Sequence, residues 1–160
     1  MTKKGQLLIE SLVAISVLII GFLGIFGLLS RSLSLNNVIS SQYIASNLAA
    51  EGIEVVKNLI DHNFIQYRAW NEGISAGFYE ISFDSQNLEP NQNRFLLFNS
   101  SANTYNYQNG QPTFYKRLIE IQNITPDEIR VKSTVGWRIR GGSYLVNLED
   151  HFFNWRPYEE

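Results

Sequence analysis

Apolar and polar positions divide the chain into stretches of different period. From Leu12 to Leu29 every position is apolar or glycine except Ser16, with Gly21, Gly24 and Gly27 at intervals of three. These 18 residues, at about 1.5 Å each, rise about 27 Å, close to the hydrocarbon thickness of a bilayer. Farther on, apolar or small residues recur at Leu35, Val38, Ala45, Leu48, Ala49, Gly52, Ile53, Val56, Leu59 and Ile60. Spacings of three and four draw one stripe on a helix. Glu51, Glu54 and Lys57 lie off that stripe, and Glu54 can pair with Lys57 at i, i+3. The first proline is Pro90. The pattern predicts one helical rod from about Gln6 to about Asp61, on the order of 80 Å long, apolar all round at first and amphipathic later.

After Asp61-His62-Asn63 the period changes again. Phe78–Asp84 and Arg94–Asn99 read as short strands. The polar run Asn99–Gly110 has no periodicity and reads as a surface loop. A sharper alternative makes it adhesive, with Tyr105, Tyr107 and Tyr115 stacking on a sugar or a partner. The C-terminal third is clearer. Ile129, Val131, Val135, Trp137 and Ile139 alternate with Arg130, Lys132, Thr134, Arg138 and Arg140, the period of a half-buried strand. A turn at Gly141-Gly142 would set Ile139 opposite Tyr144, Trp137 opposite Val146 and Val135 opposite Leu148. Phe114–Ile124 supplies a third strand, returning through Thr125-Pro126-Asp127-Glu128. Phe152, Phe153 and Trp155 close the chain as core or edge cover. The expected fold class is α+β, a long N-terminal helix (about 6–61) packed on a C-terminal antiparallel sheet of three or more strands.

The N-terminal text carries the chemistry. Lys3, Lys4 and Gly5 precede four residues and then Glu10, at the mouth of the apolar run. A carboxylate at the hydrocarbon edge is costly and calls for a partner. A secretory signal peptide would have a shorter apolar core and a small-residue cleavage site. Here the run is longer, and Ser30-Arg31-Ser32-Leu33-Ser34-Leu35 continues in helical character. A plain signal anchor leaves Glu10 unexplained. Lys3 and Lys4 before the run, against Arg31 after it, favour a cytoplasmic N-terminus.

Gly5-Gln6-Leu7-Leu8-Ile9-Glu10-Ser11-Leu12-Val13-Ala14-Ile15 resembles the class III signal of type IV pilins and pseudopilins. The resemblance implies a prepilin peptidase cutting between Gly5 and Gln6 on the cytoplasmic side, N-methylation of Gln6, and Glu10 as fifth mature residue. The mature chain would begin with Gln, where most major pilins have Phe and minor pilins vary more. Leu48-Ala49-Ala50-Glu51-Gly52-Ile53-Glu54, Val131–Trp137 and Phe153-Asn154-Trp155 resemble the minor pilins called type IV pilus modification protein V and the I-type pseudopilins of type II secretion. The implied segments are a leader (1–5), a transmembrane and assembly half-helix (6–29), an amphipathic half-helix (30–61) and a sheet domain (62–160).

That resemblance implies a minor pilin assembled into, or priming, a type IV pilus-like filament. Its partners would be other pilin subunits along the helix, the peptidase, an inner-membrane assembly platform and, before assembly, lipid. It would sit in the cytoplasmic membrane and then in an extracellular or periplasmic filament. Alternatives are a type II secretion pseudopilin, or a competence or adhesion pilin binding DNA or a surface ligand. Cleavage would leave an amine on Gln6, and Glu10 could pair with that amine or with a neighbouring subunit's, setting axial register. Gly21, Gly24 and Gly27 read either as ordinary glycine tolerance in membrane helices or as a face for close approach or local unwinding.

Composition narrows the rest. Loss of Lys3 and Lys4 with the leader takes the formal net charge from −2 to −4, against a generic polyanion binder. Lys116, Arg130, Lys132, Arg138 and Arg140 on the outer sheet face could meet a DNA backbone, although Glu120 and Glu149 share that face. There is no cysteine, which excludes disulfides and thiol chemistry. His62 and His151 each follow an aspartate without a second ligand at metal spacing. No phosphate loop, nucleophile set or calcium-loop spacing occurs, and no cofactor is expected. The chain reads as a substrate of an enzyme rather than as an enzyme.

Overall fold

The computed structural model describes residues 3–155. Met1 and Thr2 of the expected leader, the side chain of Lys4, and 156–160 of the expected sheet domain lie outside the described residues. The chain divides into two compact units, Met1–Ser41 and Gln42–Glu160. A single helix, α1 (Lys3–Ile65), makes up the described part of the first unit and opens the second.

Within the first unit every large apolar side chain from Leu7 to Leu35 is exposed. The helix is long and apolar enough to cross a membrane, with a mean hydropathy of 2.8 in its most apolar window and none of that window buried. Burying one such side chain is worth roughly 1.5–3 kcal/mol, so this surface is far more stable against lipid or other helices than in water.

In the second unit α1 turns one face to a sheet. Ala45, Leu48, Ala49, Gly52, Val55, Val56, Ile60 and Asn63 are buried at helical spacing. The buried stripe therefore differs from the expected one: Leu35 is exposed, Ile53 is half-buried, and Val55 takes the inward position. The helix also runs four residues past Asp61. It stops where Tyr67 adopts φ 56° and the Tyr67 and Arg68 N–H groups donate to the carbonyls of Phe64 (3.3 Å) and Asn63 (2.9 Å). A residue in the left-handed region just past the last turn is the usual helix stop. Here Tyr supplies it instead of glycine, so no sequence signal marks the end.

Eight strands follow: β1 (Gly77–Glu80), β2 (Glu89–Pro90), β3 (Leu97–Asn99), β4 (Thr104–Asn106), β5 (Gln111–Pro112), β6 (Tyr115–Thr125), β7 (Glu128–Ile139) and β8 (Gly142–Phe153). They form a five-stranded antiparallel sheet in the order β2-β1-β6-β7-β8 and a three-stranded antiparallel sheet in the order β4-β3-β5. The chain is α+β, as its periodicity predicts. The three long C-terminal strands fall where expected, while the strands expected at Phe78–Asp84 and Arg94–Asn99 are shorter, Gly77–Glu80 and Leu97–Asn99.

Two details correct the sequence reading. The hairpin register is displaced by two: Ile139 faces Gly142, Trp137 faces Tyr144 and Val135 faces Val146. The turn residues are Arg140 (φ 49°) and Gly141 (φ 79°), so the loop closes one residue earlier than a Gly141-Gly142 turn would. A shift of two keeps every side chain on its face, which is why alternation could not decide it. The Asn99–Gly110 run is also not all loop, because Thr104–Asn106 pairs with β3. Its turns are held by asparagine side chains: Asn99 Oδ1 accepts from the N–H of Ser101 and Ala102, and Asn106 Oδ1 from those of Gln108 and Asn109.

The core has two apolar parts. One gathers Val55, Val56, Ile60, Trp70, Ile74, Ile81, Ile119, Ile121, Ile129 and Val131. The other gathers Ala45, Leu48, Ala49, Leu96, Tyr107, Tyr115, Val135 and Trp137. Gly52 permits a close helix–sheet approach, since a Cβ there would lie 2.6 Å from Ser133 Oγ and 2.7 Å from Ile119 Cδ1.

Candidate functional site

The residues singled out at the N-terminus all lie in the first turns of α1. Lys3 begins the helix, Gly5 is half-exposed, and Gln6 and Glu10 are exposed. The Gly5–Gln6 bond is thus helical, in a first turn that holds no acidic residue. Positive charge at that end opposes the helix dipole by about 0.3–1 kcal/mol per group, so the first turn is weakly held. Glu10 follows Gln6 by four residues, one turn or about 6 Å along the axis. Leu7, Leu8, Ile9, Leu12 and Val13 around it are exposed apolar side chains. Among the described residues no side chain pairs with Glu10. The nearby hydroxyls are satisfied within the helix: Ser11 Oγ donates to Leu7 C=O and Ser16 Oγ to Leu12 C=O, both at 2.8 Å. A carboxylate in this position can do one thing well, which is to attract a cation within a turn's reach.

Around Gly21, Gly24 and Gly27 a Cβ would meet nothing within 4 Å, so the three positions leave α1 locally thin.

The second unit carries two buried charges that the sequence reading missed. Arg117 lies on the core side of β6, fully buried. Its Nη1 donates to Leu48 C=O (3.0 Å) and to Glu51 Oε1 (2.8 Å), and its Nη2 donates to Ile81 C=O. One cation thereby ties α1, β6 and the segment after β1. The available signal was phase: Tyr115, Arg117, Ile119 and Ile121 share the period that points inward. Glu80, equally buried, accepts from the N–H groups of Gln92 (3.1 Å) and Arg94 (2.8 Å) and from Arg94 Nε (2.6 Å). Arg94 also reaches Glu89 at 2.7 Å. The hydrogen bonds that Arg94 donates to Glu80 and then to Glu89 raise its pKa above its already high value.

The tyrosines of the polar run do not form an exposed cluster. Tyr107 and Tyr115 are core residues, and only Tyr105 is partly open. Burial pushes the Tyr107 hydroxyl up to about 12, and its O–H donates to Arg117 C=O at 3.4 Å. On the outer sheet face the charges are interleaved. Lys132 sits between Glu120 and Glu149 across the strands, and Arg130 lies 3.9 Å from Glu149. His62 is exposed, and His151 Nδ1 meets Glu128 Oε1 at 2.6 Å.

No family model, curated protein or solved structure matches this chain. Its pilin-like feature is a coarse one, an N-terminal apolar helix whose later turns pack on an antiparallel sheet.

Proposed function

We propose that the chain is a prepilin, a single-pass subunit of the cytoplasmic membrane with its N-terminus inside and its sheet unit outside. A prepilin peptidase cuts it between Gly5 and Gln6, Gln6 is N-methylated, and the mature chain enters or primes a type IV pilus-like filament as a minor component. The observation that carries this reading is Glu10, a lone carboxylate on an exposed apolar helix, one turn beyond Gln6 and without a partner among the described residues.

Lys3 and Lys4 hold the uncut end at the cytoplasmic face. Cleavage removes them and creates a cationic amine on Gln6, one turn from Glu10. In a low-dielectric bundle of such helices an unpaired carboxylate is strongly unfavourable, so subunits settle where each Glu10 meets an amine. The apolar surface from Leu7 to Leu35 passes from lipid contact to helix contact without meeting water. The chain performs no catalysis in this scheme and is itself the peptidase's substrate.

The test is Glu10→Ala. The variant is expected to insert in the membrane at wild-type level and to fall at least tenfold in its share of sheared filaments, measured by quantitative immunoblotting. Wild-type incorporation would overturn the role given to Glu10.

A further inference from the structure

Strand β8 closes the five-stranded sheet, and among the described residues nothing pairs with its outer edge. It runs in 12 consecutive pairs with β7 without a bulge. Because the hairpin closes on a two-residue turn, Ile139 and Gly142 exchange both hydrogen bonds, and the two kinds of pair alternate from there. The backbone N–H and C=O groups of Ser143, Leu145, Asn147, Glu149 and His151 therefore point away from β7. His151 fixes the phase, since its N–H donates to its neighbour's carboxylate, Asp150 Oδ1, at 2.9 Å. That contact caps the C-terminal end of the edge. Ser143–Leu148 has no proline, charge or bulge, which are the devices by which proteins blunt a free edge.

Side chains around this window define what fits it. Tyr144 is exposed, and Val146 and Leu148 are only half-buried, so the apolar face of the sheet is incompletely covered along β8. Charge is polarised along the strand. Arg138, whose Nε donates to Ser143 Oγ at 3.0 Å, stands at the hairpin end, while Glu149 and Asp150 stand at the other. The geometry points to an interaction surface for an extended segment of another protein, added as a sixth strand antiparallel to β8 over Ser143–Leu148. Main-chain bonds to Ser143, Leu145 and Asn147 supply affinity. Apolar side chains opposite Tyr144, Val146 and Leu148 extend the core face. A carboxylate opposite Ser143 meets Arg138, and a cation opposite Glu149 completes the match, so the segment runs from a basic to an acidic end. This inference goes beyond the prepilin reading and stands on the sheet alone.

The experiment uses the full chain in detergent micelles and a blocked heptapeptide, Lys-Val-Thr-Val-Thr-Val-Asp. Amide exchange at Leu145 and Asn147 is expected to slow at least tenfold at saturating peptide, with β7 amides unchanged. Leu145→Pro deletes an outward N–H that β7 does not use and is expected to abolish the protection. Arg138→Glu, a change at an exposed side chain, is expected to weaken binding at least tenfold and to remove the preference for this peptide over the one with its Lys and Asp exchanged. The proposal is overturned if millimolar peptide leaves both amides unmoved, if Leu145→Pro binds as before, or if both peptides bind the wild type equally. It is also overturned if these amides are already protected because a second copy of the chain occupies the edge.

Discussion

Arg117→Ala removes the only described cation that reaches α1, β6 and the segment after β1 together. The cost can be apportioned. The Leu48 carbonyl keeps its place in the helix ladder, and the Glu51 side chain, 32% exposed, can turn to water, so neither is left stranded. The Ile81 carbonyl is different, because Ile81 is buried and would lose its partner, at about 1–3 kcal/mol. The emptied volume adds a cavity of comparable cost. A total of about 3–5 kcal/mol agrees with what breaking buried ion pairs usually costs. For a unit of this size that is a fall of roughly 12–20 °C in Tm. Thermal and denaturant unfolding followed by tryptophan fluorescence would report it, since Trp70 and Trp137 are buried in the two halves of the core. Arg117→Met with Glu51→Gln, which removes the charges and keeps most of the volume but leaves the Ile81 carbonyl without its partner, is expected to recover about half of the loss. A loss below about 1 kcal/mol for Arg117→Ala would refute the claim that this side chain holds the helix to the sheet.

Other expectations follow from packing and titration. Gly52→Ala gains about 1 kcal/mol of helix propensity but forces Cβ against Ser133 and Ile119, for a net loss of roughly 1–2 kcal/mol in the same unfolding assay. Gly52→Leu should lose clearly more, and a Leu variant as stable as the Ala variant would contradict the close approach. Tyr107 has its pKa raised from 10.0 to about 12 by burial, so the unfolded chain ionises first. Its contribution, roughly 3 kcal/mol, is complete below pH 10.0 and lost as pH rises toward 12. A pH series of unfolding midpoints should show that loss, and Tyr107→Phe should flatten it.

Much of this fold was legible because periodicity is a strong signal where elements are long. The shift from an unbroken apolar run to a stripe of three and four, and then to strict alternation from Ile129 to Ile139, marks α1 and the β6-β7-β8 meander. What escaped reading escaped for identifiable reasons. The hairpin register is invisible to a period of two. The helix end depends on Tyr67 in a conformation that Tyr rarely adopts. Strands of two or three residues, such as β4 and β5, are too short to show a period. Arg117 drew no reading, although its phase in β6 is inward, because arginine is an uncommon core residue. At the N-terminus the sequence text was the whole signal, since a glycine, a carboxylate and an apolar run in fixed register do not depend on a tertiary fold.

The most direct measurement is the intact mass of the chain purified from cells with and without the prepilin peptidase. The account predicts the full chain without the enzyme. With it, the predicted species begins at Gln6, lighter by Met1 to Gly5 and heavier by one methyl group. A chain of unchanged mass in both strains, or one cut at a different bond, would contradict it.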